Sequence, residues 1–115
     1  MSTTIYHNPR CSKSRQTLEL LKEQGIEPTI IEYLKTPPDY ATLDKLLQQL
    51  GLEPHQLMRT GEAEYKELKL AAETLSRQEL IKIMVDHPKL IERPIVVSGK
   101  RAALGRPPTK VLEIL

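Results

Sequence analysis

Tryptophan and phenylalanine are absent from this 115-residue chain, tyrosine occurs four times and cysteine once. Without large apolar aromatics the core has to be built from Leu, Ile and Val, and the stacking platforms that hold single-stranded nucleic acid are almost missing. One cysteine excludes an internal disulfide and a metal site built on thiolates, so no metal is expected. No apolar run approaches the ~20 residues needed to cross a bilayer. The N-terminal part also lacks a basic start followed by an apolar segment and a small-residue cleavage site. A cytoplasmic protein with no membrane partner is expected. An excess of one charge is lacking too: the net charge is +2, too small for a strong pull on a phosphate backbone, and no nucleic-acid partner is expected.

Hydrophobic residues make up 39% of the chain and charged residues 28%, which suits one globular domain over 1–115 rather than a disordered chain. Charge is unevenly spread. Residues 1–26 carry four basic and two acidic groups, residues 27–88 seven and eleven, and residues 89–115 six and two. If the fold joins the basic ends, they make a positive concavity suited to a small anion; the same charges are equally compatible with a solvated surface.

The run Thr4-Ile5-Tyr6-His7 predicts a strand that ends in a loop at Asn8-Pro9. A helix is expected next, capped by Ser12, with Leu18 and Leu21 as its apolar stripe, Leu20 beside them, and Gly25 at its left-handed end. Residues 28–34 predict a second strand, closed by Pro37 and Pro38, and a strand–helix–strand unit of this kind normally makes a parallel crossover. Asp39 is placed to cap a helix with Leu43, Leu46, Leu47 and Leu50 on one face, ended by Gly51. Pro54 starts a short helix, 62–70 is weakly helical, and Ser76 with Glu79 forms a capping box for a helix that buries Leu80, Ile81, Met84 and Val85. The segments 95–97 and 101–104 around Ser98-Gly99-Lys100 predict a β-hairpin. A final helix after Pro107-Pro108 is expected to present Val111, Leu112, Ile114 and Leu115 as its apolar face. The order is βαβ, a helical block over about 37–90, then ββα.

Cys11 follows a strand and a proline-bearing loop and stands at the start of a helix, where backbone N–H groups and the helix dipole favour a thiolate and attract an anion. His7, Arg10, Lys13 and Arg15 lie within four residues of it, and any cation that approaches lowers the thiol pKa further. Known thiol schemes are tested by spacing. A tyrosine-phosphatase loop needs arginine six positions after the cysteine, and Thr17 stands there; a dithiol motif needs a second cysteine where Ser14 stands; a papain-like protease needs a larger fold. A single-thiol nucleophile beside an anion site remains, and it must borrow a second thiol to complete a redox cycle. His7 either tunes that thiol or closes its strand with a surface hydrogen bond, whereas His55 and His87 suit surface or cap positions.

The segments Thr4-Ile-Tyr-His-Asn-Pro-Arg-Cys-Ser-Lys-Ser-Arg15, Gly25-Ile-Glu-Pro, Tyr33-Leu with Pro37-Pro38, Leu57-Met-Arg59, Asp86 to Val97 and Gly105-Arg-Pro-Pro108 together resemble the glutaredoxin-coupled arsenate reductase (ArsC) family, and more closely its short YfgD-like members. The resemblance implies an α/β, thioredoxin-like fold with a mixed central sheet and a helical insertion, in agreement with the order above. It also implies a cis proline at Pro94, beside the active cysteine. Cys11 corresponds to the nucleophile that attacks arsenate, and His7 and Ser14 to residues that keep it a thiolate. Arg59, Arg93 and Arg106 correspond to an arginine triad around the oxyanion. Arginine suits that task because its planar fork stays protonated and gives paired hydrogen bonds to a tetrahedral anion.

By the same resemblance no cofactor is bound, glutathione is the co-substrate and glutaredoxin the protein partner of a cytoplasmic, monomeric arsenical-resistance oxidoreductase. Arg10, Ser12 and Lys13 replace the smaller residues that flank the nucleophile elsewhere in the family. Two other readings fit less of the chain. One is a glutathione-linked thiol oxidoreductase acting on another substrate. The other is a regulator similar to the Spx branch, which binds RNA polymerase and typically carries a Cys-x-x-Cys switch that Ser14 breaks here.

Overall fold

The computed structural model describes residues 2–68 and 75–115, which fall into two compact units, one of residues 1–36 with 93–115 and one of residues 37–92. The first unit is α/β. Strand β1 (Thr3–His7) leads into helix α1 (Ser12–Glu23), strand β2 (Thr29–Glu32) follows, and after the second unit come β3 (Ile95–Ser98), β4 (Arg101–Leu104) and a 3-10 helix (Pro108–Ile114). The strands lie in the order β2-β1-β3-β4. β1 pairs parallel to β2 and antiparallel to β3, and β3 pairs antiparallel to β4. This is the mixed sheet of the expected thioredoxin-like fold.

The two-residue period of β1 buries Thr3, Ile5 and His7 on one face. Ile5 joins Leu21, Val96, Val111 and Ile114 in the core, with Leu18, Leu20, Ile26 and Ala103 packed against it. His7, the last residue of that face, is carried past the apolar core to the N-terminal end of α1. The helix reflects this gradient, because its buried residues are Ser14, Thr17 and Leu21. The expected stripe of Leu18 and Leu21 is therefore displaced, and Leu18 only flanks the core.

The cap of α1 also differs from expectation: Cys11, not Ser12, holds the N-cap position. Its amide donates to the Asn8 carbonyl at 3.0 Å, and its own carbonyl accepts the Arg15 amide at 3.0 Å, which starts the helix one residue early. At the other end the Gly25 amide reaches the Lys22 carbonyl at 2.9 Å and the Ile26 amide the Leu21 carbonyl at 3.0 Å. That Schellman pattern needs the left-handed φ of +75° found at Gly25.

β2 is shorter than its 28–34 prediction, because the amides of Lys35 and Thr36 both turn back to the Glu32 carbonyl at 2.9 Å. The terminal segment is a 3-10 helix rather than an α-helix, and this redistributes its apolar residues. With three residues per turn, Val111 and Ile114 share one face and Leu112 and Leu115 another. Val111 and Ile114 are buried, whereas Leu112 and Leu115 are 40% and 43% exposed.

The second unit is helical, with α2 (Tyr40–Leu50), α3 (Pro54–Leu57), α4 (Ala63–Glu67), α5 (Arg77–Asp86) and a 3-10 turn at Pro88–Leu90. Asp39 caps α2 by accepting the Thr42 amide at 2.8 Å, Gly51 ends it with φ +69°, and Ser76 and Glu79 form the expected capping box of α5. Leu43, Leu46, Leu47, Leu57, Leu80, Ile81 and Met84 are buried, while Val85 is only half-buried. The weakly helical 62–70 is represented by α4, and residues 69–70 of that prediction lie outside the described residues. A bridge between Met58 and Ile91 closes this unit. It is flanked by the Arg59 amide donating to the Leu90 carbonyl and the Glu92 amide to the Leu57 carbonyl, both at 2.7 Å. No helix among the described residues is long and apolar enough to cross a membrane.

Candidate active site

The first unit gathers Cys11, His7, Ser14, Arg93 and Arg106 at the N-terminal end of α1. Cys11 is 9% exposed and its thiol is free. Burial pushes its pKa up, yet the net shift is below the ordinary thiol value. The Ser14 amide, the Arg93 charge and side-chain hydrogen bond, and the Lys13 amide all favour the thiolate. Arg106 Nη2 lies 3.9 Å from Sγ, and Arg106 Nε donates to the Arg93 carbonyl at 2.8 Å. The groups turned to the sulfur are thus N–H donors of two guanidinium groups and a helix start, a set that suits an anion rather than a cation.

His7 and Ser14 form a second layer. Ser14 Oγ accepts the Asn8 amide at 3.0 Å and pairs with His7 Nδ1 at 2.6 Å. Burial holds the His7 pKa below its usual value, helped by Arg15 and Lys22 and opposed by Glu32, so the ring is neutral at pH 7. Held by both the Asn8 amide and His7 Nδ1, the Ser14 hydroxyl has its rotamer fixed. The same serine therefore presents its backbone N–H to the thiol and its side chain to the loop that precedes it.

Sequence proximity gave the wrong cations. Arg10, Lys13 and Arg15 are exposed, and Arg15 Nη1 is turned to the Pro9 carbonyl at 2.9 Å. At this helix start Ser14 turns inward, and Lys13 and Arg15 on either side of it stay in solvent. The groups that stabilise the thiolate are two amides of the helix and an arginine from the far end of the chain. The Arg93–Pro94 peptide is cis, as is Arg106–Pro107.

Arg59 belongs to the second unit. There its Nη1 donates to Glu62 and its Nε lies 3.7 Å from Glu92, so two half-buried carboxylates orient the guanidinium. His55 is exposed and His87 is half-buried at the end of α5. Asn8 was not singled out by sequence reasoning. Its side chain accepts the Arg10 amide at 3.0 Å and its amide is held by Ser14, an arrangement that the Asn8-Pro9 turn signal hints at.

Comparison with known proteins places this geometry. The ArsC family model matches residues 6–114. The chain is 60% identical over 112 residues to YfgD of Escherichia coli K12, covering 96% of this chain and 94% of that protein. It is 49% identical to an arsenate reductase of Haemophilus influenzae, with both chains covered completely. Among solved structures, an arsenate reductase from Vibrio cholerae aligns with a TM-score of 0.98 at 57% identity, covering 100% of this chain and 98% of that one. A match over nearly the whole chain, with relatives near half identity, leaves one conclusion: the chain belongs to the ArsC family.

Proposed function

We propose that this protein is an arsenate reductase that works through the single thiol of Cys11 with glutathione and glutaredoxin. The observation that carries the reading is a buried cysteine whose thiolate is favoured and whose sulfur has Arg106 Nη2 3.9 Å away. Similarity to chains named arsenate reductase supports the substrate.

In the proposed cycle the Cys11 thiolate attacks arsenic, an As–O bond breaks, and the oxygen leaves as water or hydroxide. Arg93 and Arg106 hold the remaining oxygens, and by family resemblance Arg59 is assigned to the same oxyanion. A glutathione thiolate then attacks the Cys11 sulfur. The S–S bond forms, the S–As bond breaks, and its electron pair stays on arsenic, which is released as arsenite. Two thiols thus supply the two electrons, one from Cys11 and one from glutathione, and glutaredoxin returns Cys11 to the thiol by resolving the mixed disulfide. The chain has no other cysteine to do so. His7 and Ser14 keep the Ser14 amide aimed at the sulfur.

NADPH consumption in a coupled assay with glutathione, glutaredoxin and glutathione reductase tests the reading. Arsenate-dependent consumption that disappears in Cys11→Ser, in a variant of unchanged circular dichroism, is the expected result. Turnover that survives in that variant would sink the nucleophile assignment. No turnover in the native chain, with active partner enzymes, would move the search to other substrates of the same thiol.

A further inference from the structure

Thr17 and Gly105 take no part in the chemistry proposed above, yet the structure leaves no space between them. A β-carbon at Gly105 would stand 2.5 Å from Thr17 Oγ1, 2.7 Å from Pro94 Cγ and 3.1 Å from Thr17 Cγ2. Close approach, and not an unusual φ, is what demands glycine here. Thr17 has nowhere to retreat: it is fully buried, and its Oγ1 donates to the Lys13 carbonyl at 2.8 Å. The Lys13 amide is one of the two that face the Cys11 sulfur.

On the other side of the contact, the Gly105 amide donates to the Pro94 carbonyl at 2.9 Å. One residue later Arg106 Nε donates to the Arg93 carbonyl at 2.8 Å and Nη2 reaches toward Cys11 Sγ. Three pieces of backbone therefore meet at one point: the helix that carries the sulfur, the Arg93-Pro94 segment, and the Gly105-Arg106 segment. The attraction of a guanidinium for a thiolate falls with distance, so the thickness of this contact sets its strength.

We propose that Thr17 and Gly105 are positioning residues, whose close contact fixes how far Arg93 and Arg106 stand from the Cys11 sulfur. Thr17 occupies the place, six residues after the cysteine, where a phosphatase loop carries its arginine. Here that place is a spacer, and the arginines come from elsewhere in the chain. The proposal rests on the reading of Cys11 as a thiolate nucleophile, and its test uses no arsenate.

The test is the pH dependence of Cys11 alkylation by iodoacetamide in the full chain, which reports on one thiol because there is only one. Gly105→Ala wedges the segments apart, and Thr17→Ala removes the wall they rest on. Gly105→Ala is expected to raise the alkylation midpoint by about half a pH unit or more, leaving roughly threefold less thiolate at a fixed pH below the midpoint, whereas Thr17→Ala, which lets the arginines close on the sulfur, is expected to lower it. Thr17→Ala takes away both Thr17 atoms that crowd the added methyl and leaves only Pro94 Cγ, so Gly105→Ala is expected to raise the midpoint less in that background than in the native chain, a non-additivity that marks direct coupling. Single-variant midpoints equal to the native one, whether or not the melting temperature falls, would overturn the proposal, and so would shifts that simply add in the double variant. Should Gly105→Ala fail to fold, Thr17→Ala, which only creates space, decides alone. Midpoint shifts in a chain that does not reduce arsenate would remove the substrate assignment and leave the spacer standing; arsenate reduction with unmoved midpoints would do the reverse.

Discussion

Arg106 lays its guanidinium between two acceptors, with Nε on the Arg93 carbonyl at 2.8 Å and Nη2 3.9 Å from the Cys11 sulfur. The backbone of Arg93 thus orients the side chain of Arg106. A lysine keeps the charge and loses the fork, so it cannot hold the carbonyl and face the sulfur together. Arg106→Lys is expected to leave the fold intact and to lower kcat/KM for arsenate about 10- to 100-fold, the equivalent of one charge-assisted hydrogen bond of about 1.5–3 kcal/mol. Steady-state kinetics in the coupled assay checks this, and a loss under threefold would show that charge alone suffices.

The depressed pKa of Cys11 ties stability to pH. Burial works against the thiolate, and the amides and Arg93 overcome it, so the folded pKa lies below the ordinary value of 9.0. Between those two values the unfolded chain binds a proton that the folded chain does not. Stability from this group is therefore fully present above pH 9.0 and is lost as pH falls through the folded value. The native chain is expected to gain stability over Cys11→Ser as pH rises through that window. Urea unfolding of both chains across it measures the difference, and a pH-independent difference would mean the folded thiol has an ordinary pKa.

Much of this arrangement was legible in the sequence. The leucine spacing and caps of α2 and α5 are local signals, and both helices end where Gly51 and His87-Pro88 say they should. The placement of Cys11 at a helix start was equally local, since Asn8-Pro9 closes the strand before it. Arg93 and Arg106 were legible only through family resemblance, because nothing near them in the chain distinguishes them from solvated arginines. The outward splay of Arg10 and Lys13, the inward turn of Ser14, the 3-10 winding of the last segment and the contact of Thr17 with Gly105 depend on tertiary packing. A one-dimensional pattern carries no trace of them.

His7 and Ser14 make an acid-sensitive pair. The His7 pKa is lowered by burial from its ordinary value of 6.5, with Arg15 and Lys22 adding to the effect and Glu32 opposing it. Below pH 6.5 the unfolded chain takes up a proton that the folded chain refuses, so stability falls as pH drops from there and levels off below the folded value. Ser14→Ala strips the 2.6 Å and 3.0 Å partners from His7 Nδ1 and the Asn8 amide. It is expected to cost about 1–3 kcal/mol and to raise the alkylation midpoint of Cys11. Urea midpoints at pH 7.5 and pH 5.5, for the native chain and Ser14→Ala, test the stability effects, and the pH profile of iodoacetamide alkylation tests the thiol; a native chain equally stable at the two pH values would contradict the buried neutral ring.

Arg59 offers a separation of chemistry from stability. Its partners Glu62 and Glu92 are half-buried, with about a quarter of each side chain exposed, and ion pairs this accessible contribute little to folding because water and salt screen them. Removing the cation leaves two carboxylates without it, but both can turn toward solvent. Arg59→Ala is therefore expected to cost on the order of 1 kcal/mol, lowering the melting temperature by only a few degrees. If Arg59 also serves the oxyanion, as proposed, arsenate turnover falls by a much larger factor than this stability loss can produce at a temperature where the chain stays folded. Thermal unfolding and kinetics on the same preparation decide the matter: a few degrees lost with turnover retained would confine Arg59 to holding its own unit together.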